Sequence, residues 1–235
     1  MSANETRYCM CIVANDLSAE DSVRMAGRRA ALLKGAKWDV GAVITARFLE
    51  GDEGLQDRVR KVAREWTARD MANLTLEFRN GPPTDIRIAF KPGNGSWSYL
   101  GTVCRRIPEP EPTMNYGWLT RQSPEDELRR VVLHEFGHAL GLIHEHQNPE
   151  GGIAWNRDAV VNDLKRPPNN WTLAKIETNI FRKYDPAAVV ATGVDPQSIM
   201  MYPIPRAWTL DGFSAGLNGE LSQKDKELIR SVYPQ

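Results

Sequence analysis

The sequence of 235 residues predicts an α/β (α+β) fold in which a long helix packs on a β-sheet. A segment typical of a strand, VGAVITARFLEG, is followed by apolar residues at helical spacing in GLQDRVRKVAREWTARDM. Two further segments, LTLEF and DIRIAF, alternate strictly between apolar and polar residues, as strands with one buried face do. The order strand, helix, strand, strand is the start of an α/β layer.

The composition narrows the classes of partner. The chain is long enough to bury a core as one domain or as two lobes that share a cleft. Lys plus Arg and Asp plus Glu both number 30, so the formal net charge is zero. This balance argues against nucleic acid or an anionic membrane as a partner. No apolar run approaches the roughly 20 residues that span a bilayer, and no signal peptide is recognisable. We expect a monomer that is cytoplasmic or secreted by a non-standard route.

The remaining elements follow in chain order. The first 20 residues are weakly patterned, and SVRMAGRRAALLKGAKW predicts a short basic helix that ends near Gly35. The glycines of KPGNGSWSYLG suggest a phosphate cradle, but the Lys-Ser/Thr ending and a following helix are missing. This segment therefore predicts a loop before a strand, and PTMNYGWL predicts one more short strand.

The segment SPEDELRRVVLHEFGHALG predicts a helix with well-defined ends. Ser123 is a suitable cap, Pro124 fits the first helical position, and acidic residues follow where the helix dipole favours them. Gly141 follows the last helical residue and suits a left-handed stop.

All four histidines of the chain lie within residues 134–146. His134 and His138 are four residues apart, so a helix places both rings on one face, within reach of one metal ion. Gly141 lets the chain bend back, so that His144 can supply a third ligand. Three protein ligands and one open position are typical of catalytic zinc. Glu135 points near the metal and can reach a metal-bound water. The alternative, a pair of hydrogen-bonded core histidines, is disfavoured by the clustering.

This arrangement predicts the chemistry of a zinc-dependent endopeptidase with one catalytic Zn²⁺. The ion would lower the pKa of its water to about 7 and polarise the scissile carbonyl. Glu135 would take the proton of the water and pass it to the leaving amine. Two alternatives stay open, namely a binding module with a vestigial zinc site and a hydrolase that acts on a non-peptide amide. The presence of Glu135 argues against the first, because a structural zinc needs no general base.

The stretch HEFGHALGLIH resembles the metzincin zinc peptidases, whose signature His-Glu-x-x-His-x-x-Gly-x-x-His it matches completely. Glu145 directly follows the third histidine, and a glutamate at this position resembles the astacin family. The resemblance implies a Met-turn downstream, and SIMMY at residues 198–202 matches it. In this family Met200 would be an apolar pad beneath the zinc. Tyr202 would be a phenol that ligates the metal or lies near it at rest and stabilises the oxyanion during turnover.

The resemblance begins at about residue 36 and also includes KWDVGAVITARF, WNRDAV and LSQKDKELIRSVYP. It implies a metzincin catalytic domain over residues 36–235 after an N-terminal arm, residues 1–35. The upper lobe, about 36–141, would hold a twisted, mostly parallel sheet whose antiparallel edge strand binds an extended peptide substrate by strand addition. The lower lobe, about 142–235, would be smaller, with few strands and a C-terminal helix near residues 222–232. The zinc would lie in the cleft between the lobes.

The three cysteines cannot all pair within one chain, which indicates a reducing compartment. A thiolate of Cys9 or Cys11 could occupy the open zinc position and keep the enzyme latent, since zinc binds sulfur well. The alternative is two small residues that alternate along a short strand. Cys104 is expected in the core.

Two residues follow the third ligand directly, and each has two possible roles. In the astacin family the glutamate that matches Glu145 helps to anchor the mature N-terminus. A structural hydrogen-bonding role is the alternative for Glu145. His146 is expected to face solvent or to support a metal ligand. Secreted astacins also carry a signal peptide, a propeptide and disulfides between the lobes, and the sequence shows none of these clearly.

Overall fold

The computed structural model describes residues 6–12, 34–149, 151–184 and 193–235. Within them, six strands form one sheet in the order β1-β5-β6-β4-β2-β3. The strands are Met10–Ile12 (β1), Val43–Phe48 (β2), Thr75–Phe78 (β3), Ile86–Ala89 (β4), Ser96–Tyr99 (β5) and Met114–Tyr116 (β6). Only the β5–β6 pair is antiparallel among these strands. The expected mostly parallel sheet is therefore confirmed.

The antiparallel strand β5 is not the free edge that the sequence predicted. Strand β1 pairs with it in parallel, and Met10, Cys11 and Ile12 lie opposite Trp97, Ser98 and Tyr99. The chain's own N-terminal segment (residues 6–12) thus covers this edge. The sequence could not show this pairing, because it joins residues more than eighty positions apart. The basic helix predicted before Gly35 falls mostly on residues outside the described ranges.

The described chain contains five α-helices, of which the second carries the first two histidines. They are Glu53–Ala63 (α1), Glu125–Ala139 (α2), Arg157–Leu164 (α3), Leu173–Ile176 (α4) and Gln223–Val232 (α5). Helix α1 begins after Asp52, whose side chain accepts a hydrogen bond from the Leu55 amide at 3.1 Å. It continues as a 3₁₀ turn, Arg64–Thr67. The predicted apolar face of α1 is buried, including Trp66. Further 3₁₀ turns span Lys34–Ala36, Gly101–Arg106, Glu145–Gln147 and Arg206–Trp208, and α4 continues as a π turn, Glu177–Phe181.

Helix α2 starts one residue later than predicted. Pro124, at φ −53° and ψ 148°, occupies the cap position, while the Ser123 hydroxyl accepts from the Thr120 amide at 2.9 Å. Proline fixes only φ, so it can stand in the extended cap conformation as well as in the first turn. Gly141 has φ 99°, the left-handed stop that was predicted. Residues 131–140 are all buried, so α2 runs through the core.

The second half of the described chain is mainly helix and irregular structure. Two isolated bridges join Trp155 to Thr209 and Ile204 to Ala215. The predicted C-terminal helix is present as α5, which begins with a capping box between Ser222 and Asp225. The division into an arm, an upper lobe and a lower lobe at residues 36 and 142 stays a prediction. Among the described helices, none combines the length and apolar character needed to cross a membrane, and the cellular location stays a prediction.

Candidate metal centre

Three histidines meet in the interior as the spacing predicted. His134 and His138 project from α2, and His144 follows the turn at Gly141. One ring nitrogen of each lies within 4.8 Å of the others, and the side chains are 3%, 0% and 0% exposed. Three buried imidazoles that converge on one point form a set of nitrogen ligands suited to zinc.

Hydrogen bonds fix the orientation of each ring. The Nδ1 of His134 lies 2.8 Å from the Ile199 carbonyl, and that of His138 lies 2.7 Å from the Leu142 carbonyl. The Nδ1 of His144 lies 3.1 Å from Gln147 Oε1. Each oxygen is an acceptor, so each Nδ1 carries the proton and the Nε2 lone pair faces the centre. Such outer partners are the usual way of orienting a metal ligand.

The Nε2 atoms then lack the partner that a cation would supply. His138 Nε2 lies 3.2 Å from His144 Nε2, so two lone pairs face each other. His134 Nε2 is buried and has no hydrogen-bond partner among the described residues. Burial lowers the pKa of His138 to about 4 and holds those of His134 and His144 well below their ordinary value. Neutral imidazoles with converging lone pairs fit one zinc ion.

Glu135 lies beside this centre with an unusual environment. Its side chain is fully buried, and neither carboxylate oxygen has a hydrogen-bond partner of ordinary geometry in the described part of the chain. Burial raises the pKa of Glu135 well above its usual range, and the Cys9 thiol beside it opposes that shift. An unpaired buried carboxylate is costly, and such groups concentrate at functional sites.

The segment SIMMY forms the floor of the site. The Ile199 carbonyl holds His134, and the Met200 carbonyl accepts from the Glu145 amide at 2.9 Å. Met200 is 2% exposed and packs against Gly137 of α2, where an added Cβ would lie 2.4 Å from its sulfur. The methionine therefore fills the space that a glycine leaves on the histidine helix.

Tyr202 stands next to the histidines, as the resemblance implied. Its ring centroid lies 4.2 Å from that of His144 and 6.0 Å from that of His134. It is buried, and its hydroxyl donates to the Cys9 carbonyl. Burial, followed by the nearby Cys9 and Glu135, raises the pKa of Tyr202 well above its ordinary value. The phenol therefore stays protonated and able to donate.

Glu145 and His146 are both buried beside the third ligand. Glu145 Oε1 accepts from the Asp195 amide at 3.1 Å and from Asn148 Nδ2 at 3.3 Å. Burial raises the pKa of Glu145 to about 7. The His146 ring stacks on that of His144 at 5.3 Å, and His146 Nε2 donates to the Asn179 carbonyl at 2.8 Å. Of the two states expected for His146, the solvent-facing one is wrong, because its ring is only 1% exposed. Its stacking on His144 agrees with the other, the support of a metal ligand.

The N-terminal segment covers the histidines. Tyr8, Cys9, His134 and Tyr202 line one small cavity. Cys11 lies within β1, as the short-strand alternative proposed, whereas Cys9 precedes the strand and lies at the site. Burial, with the neighbouring Glu135, raises the pKa of the Cys9 thiol well above its ordinary value. Cys104 is buried in the main core, as expected.

Two supporting residues escaped the sequence reasoning. Asp225 of α5 accepts from the Ser198 hydroxyl at 2.7 Å and from the Ile199 amide at 2.8 Å, and it thereby holds the segment beneath His134. Gln147 orients His144. The Ser222-x-x-Asp225 capping pattern is visible in the sequence, but it gives no sign of the second contact of Asp225, with residues 198–199.

Comparisons with known proteins find solved structures similar to the whole described fold. A solved structure of myroilysin matches with a TM-score of 0.84 and 40% identity over 87% of this chain and 98% of that one. A crystal structure of myroilysin matches with a TM-score of 0.71 and 34% identity over 100% of this chain and 94% of that one. The fold is shared by high choriolytic enzyme 1 from Oryzias latipes, a hatching enzyme and zinc-protease. That structure is 18% identical, has a TM-score of 0.56 and covers 85% of this chain and 94% of its own.

A curated relative, zinc metalloproteinase nas-38 of Caenorhabditis elegans, is 24% identical over 136 residues. These are 57% of this chain and 16% of that protein, so the match spans only a small part of the relative. No protein-family model matches the chain.

Proposed function

The chain belongs to the astacin-like metzincin zinc peptidases, and from this premise we propose that it is a zinc-dependent endopeptidase. His134, His138 and His144 would hold the ion. Zinc in such a site lowers the pKa of a bound water to about 7 and polarises a carbonyl. The observation that carries the proposal is the fully buried carboxylate of Glu135, which among the described residues has the Cys9 thiol but no cation or amide as a partner and lies beside three oriented imidazoles.

Glu135 is assigned the role of general base. Its place on the histidine helix, next to His134 and facing the same buried centre, suits a group that accepts a proton from a metal-bound water. It would take the proton of the attacking water and return it to the leaving amine. A vestigial binding module is disfavoured, because it would gain nothing from a buried carboxylate without a partner.

Tyr202 is assigned the role of oxyanion donor. In the structure its hydroxyl already donates to a main-chain carbonyl, that of Cys9. The carbonyl of a scissile peptide bond is the same chemical group. The phenol would strengthen its hydrogen bond as negative charge develops on that oxygen. Met200, Gly141 and Glu145 are assigned structural roles around the ligands.

The substrate is proposed to be a protein or peptide bound in extended form along β5. This strand offers its edge to an added strand, and β1 occupies that edge through the register Met10 to Trp97. Backbone pairing with a strand edge recognises a peptide largely independently of its sequence. A substrate and the N-terminal segment cannot pair with the same edge of β5 at once.

We therefore propose that the N-terminal segment (residues 6–12) holds the chain in a blocked form. Cys9 lines a small cavity with His134 and Tyr202, and β1 fills the strand edge, so both parts of the site are covered. The Cys9 sulfur is a suitable occupant of the open zinc position, because thiolates are good zinc ligands. Displacement or removal of this segment would open the cleft.

A casein or gelatin cleavage assay tests the function, with the full chain measured before and after limited proteolysis of its N-terminal part. Cleavage that appears on proteolysis, disappears with a chelator and returns with zinc is the expected result. Turnover of simple non-peptide amides without casein cleavage would favour the alternative hydrolase. The absence of nucleic-acid and membrane partners is proposed on the balanced charge of the chain. The monomeric state stays a prediction.

A further inference from the structure

Tyr8, the residue before Cys9, fills an aromatic pocket beside the metal centre. It is 4% exposed. Its ring stacks on Trp208 with centroids 5.4 Å apart, meets Trp171 edge-on at 6.2 Å and lies 5.2 Å from Tyr202. Its hydroxyl donates to the Pro203 carbonyl at 3.1 Å. The pocket thus surrounds the phenol ring with three aromatic side chains and offers an acceptor to its hydroxyl.

Asn169 holds the main chain next to this ring. Its Oδ1 accepts from the Tyr8 amide at 3.3 Å, and its Nδ2 donates to the Thr6 carbonyl at 3.0 Å. One side chain therefore pairs with the backbone N–H and C=O of two residues that flank Arg7. This contact recognises an extended backbone whatever its side chains are, as a strand edge does.

We infer that the pocket filled by Tyr8 is a substrate subsite for an aromatic side chain beside the scissile bond, with Asn169 as the clamp on the substrate backbone. The inference rests on the proposed peptidase function. It follows from the position of Tyr8, since the same segment covers the histidines with Cys9 and the strand edge with residues 10–12. When the segment leaves, the faces of three aromatic rings would be exposed to water.

The contacts predict an order of preference. Burial of an aromatic side chain rather than alanine should tighten binding by at least about tenfold. Pro203 offers its carbonyl to a hydroxyl, so tyrosine should exceed phenylalanine by roughly threefold to tenfold. Leucine fills the space without ring stacking and should fall between phenylalanine and alanine.

The experiment uses the full chain carrying Tyr8→Ala and Cys9→Ser, after the limited proteolysis of its N-terminal part that also frees the β5 edge and Asn169 from the segment. The pocket is then empty and its walls are kept. Quenched fluorescent peptides that differ only in the residue on either side of the scissile bond carry Tyr, Phe, Leu or Ala there. Cleavage gives kcat/KM, and the same chain with Glu135→Gln gives Kd by fluorescence anisotropy. The expected order in both is Tyr, Phe, Leu, Ala at one of the two positions.

If the four peptides have equal Kd values at both positions, the subsite inference is overturned. If the four peptides are then also cleaved at equal rates, the peptidase function still stands. The expected order of Kd without cleavage of any peptide would overturn the function and leave the pocket. Asn169→Ala should weaken all peptides by a similar factor, roughly threefold to tenfold for one or two hydrogen bonds. Asn162→Ala, on the exposed face of α3, is the matched control and should change nothing.

Trp171→Leu tests the ring contacts separately. It should compress the Tyr-to-Leu difference while leaving the alanine peptide unchanged, and a thermal unfolding curve reports whether the variant is folded. An undiminished tyrosine preference in a folded Trp171→Leu chain would overturn the assignment of that wall. If the variant does not fold, the order of the four peptides on the parent chain still decides the inference.

Discussion

Tyr202 donates its hydroxyl to the main-chain carbonyl of Cys9. The group assigned to stabilise an oxyanion is therefore engaged by the segment that covers the site. The same carbonyl belongs to the residue whose thiol lies beside Glu135. One residue of the N-terminal segment thus contacts both groups that the chemistry would use, which explains how seven described residues can block the centre.

Cys9→Ser should release this block. A serine hydroxyl is a much weaker zinc ligand than a thiolate, so the closed form loses its strongest contact with the centre. We expect the peptidase activity of the full chain to rise by about tenfold or more. A loss of about 1.4 kcal/mol from the closed form already shifts the equilibrium between the closed and open forms tenfold. Cys11→Ser is the matched control, because Cys11 lies within β1. Cobalt in place of zinc should show a thiolate charge-transfer band that Cys9→Ser abolishes, and an unchanged band would refute the latch.

His138→Ala should lose the zinc ion. The substitution removes one of three ligands, and the remaining pair forms an incomplete site. Elemental analysis of the purified chain should give about one zinc per chain for the parent and a small fraction of that for the variant. Asn162→Ala, on the exposed face of α3, is the control and should keep the full zinc content. Full zinc in His138→Ala would remove His138 from the ligand set.

Much of the core and of the metal centre could be predicted from local pattern. Alternation located β3 and β4, and the spacing of His134, His138 and Gly141 requires only helix geometry. The features that the sequence did not predict depend on contacts between residues far apart in the chain. Strand β1 has three residues and no visible periodicity, and Asn169 meets Thr6 across more than 160 positions. A pairwise contact of this kind leaves no mark in a single sequence.

Glu135→Gln should keep the metal and the fold but lower peptidase activity by at least about 10²-fold, the usual scale for a positioned base. The amide is nearly isosteric and cannot accept the proton of the water. It also replaces a fully buried carboxylate that has only the Cys9 thiol beside it in the described chain, so the free energy of unfolding should not fall. Activity and zinc content of the same preparation check this. Near-normal turnover would mean that another group is the base.

Gly137→Ala should destabilise the protein through the floor of the site. The new Cβ would lie 2.4 Å from the Met200 sulfur and 3.3 Å from Trp66 Cζ2, so the methionine must move. Overpacking of this kind typically costs about 1–3 kcal/mol. Gly152→Ala is the control, since its Cβ would meet no atom within 4 Å. Denaturant titration compares the two, and equal stability would show that Met200 adjusts freely.

Tyr202→Phe should lower kcat more than it raises KM. The phenol would bond to charge that appears only in the transition state, so its loss belongs in kcat. We expect a loss of about 1–3 kcal/mol, below the roughly 3–4 kcal/mol for a main donor, because the zinc ion stabilises the same oxygen. The hydroxyl also holds the Cys9 carbonyl, so in the full chain its removal would loosen the block and mask part of the loss. The comparison is therefore made in the Cys9→Ser background.

The ring remains in this variant, so packing against His144 at 4.2 Å should survive and the three histidines should keep the zinc. Measurement of kcat, KM, zinc content and thermal unfolding on one preparation separates the outcomes. An unchanged kcat with a raised KM would restrict Tyr202 to substrate binding. Loss of zinc or a much lower Tm would make residues 198–202 a structural element, and the oxyanion role would be withdrawn. A fall in kcat alone, with zinc and Tm retained, leaves stabilisation of the transition state as the role of the phenol.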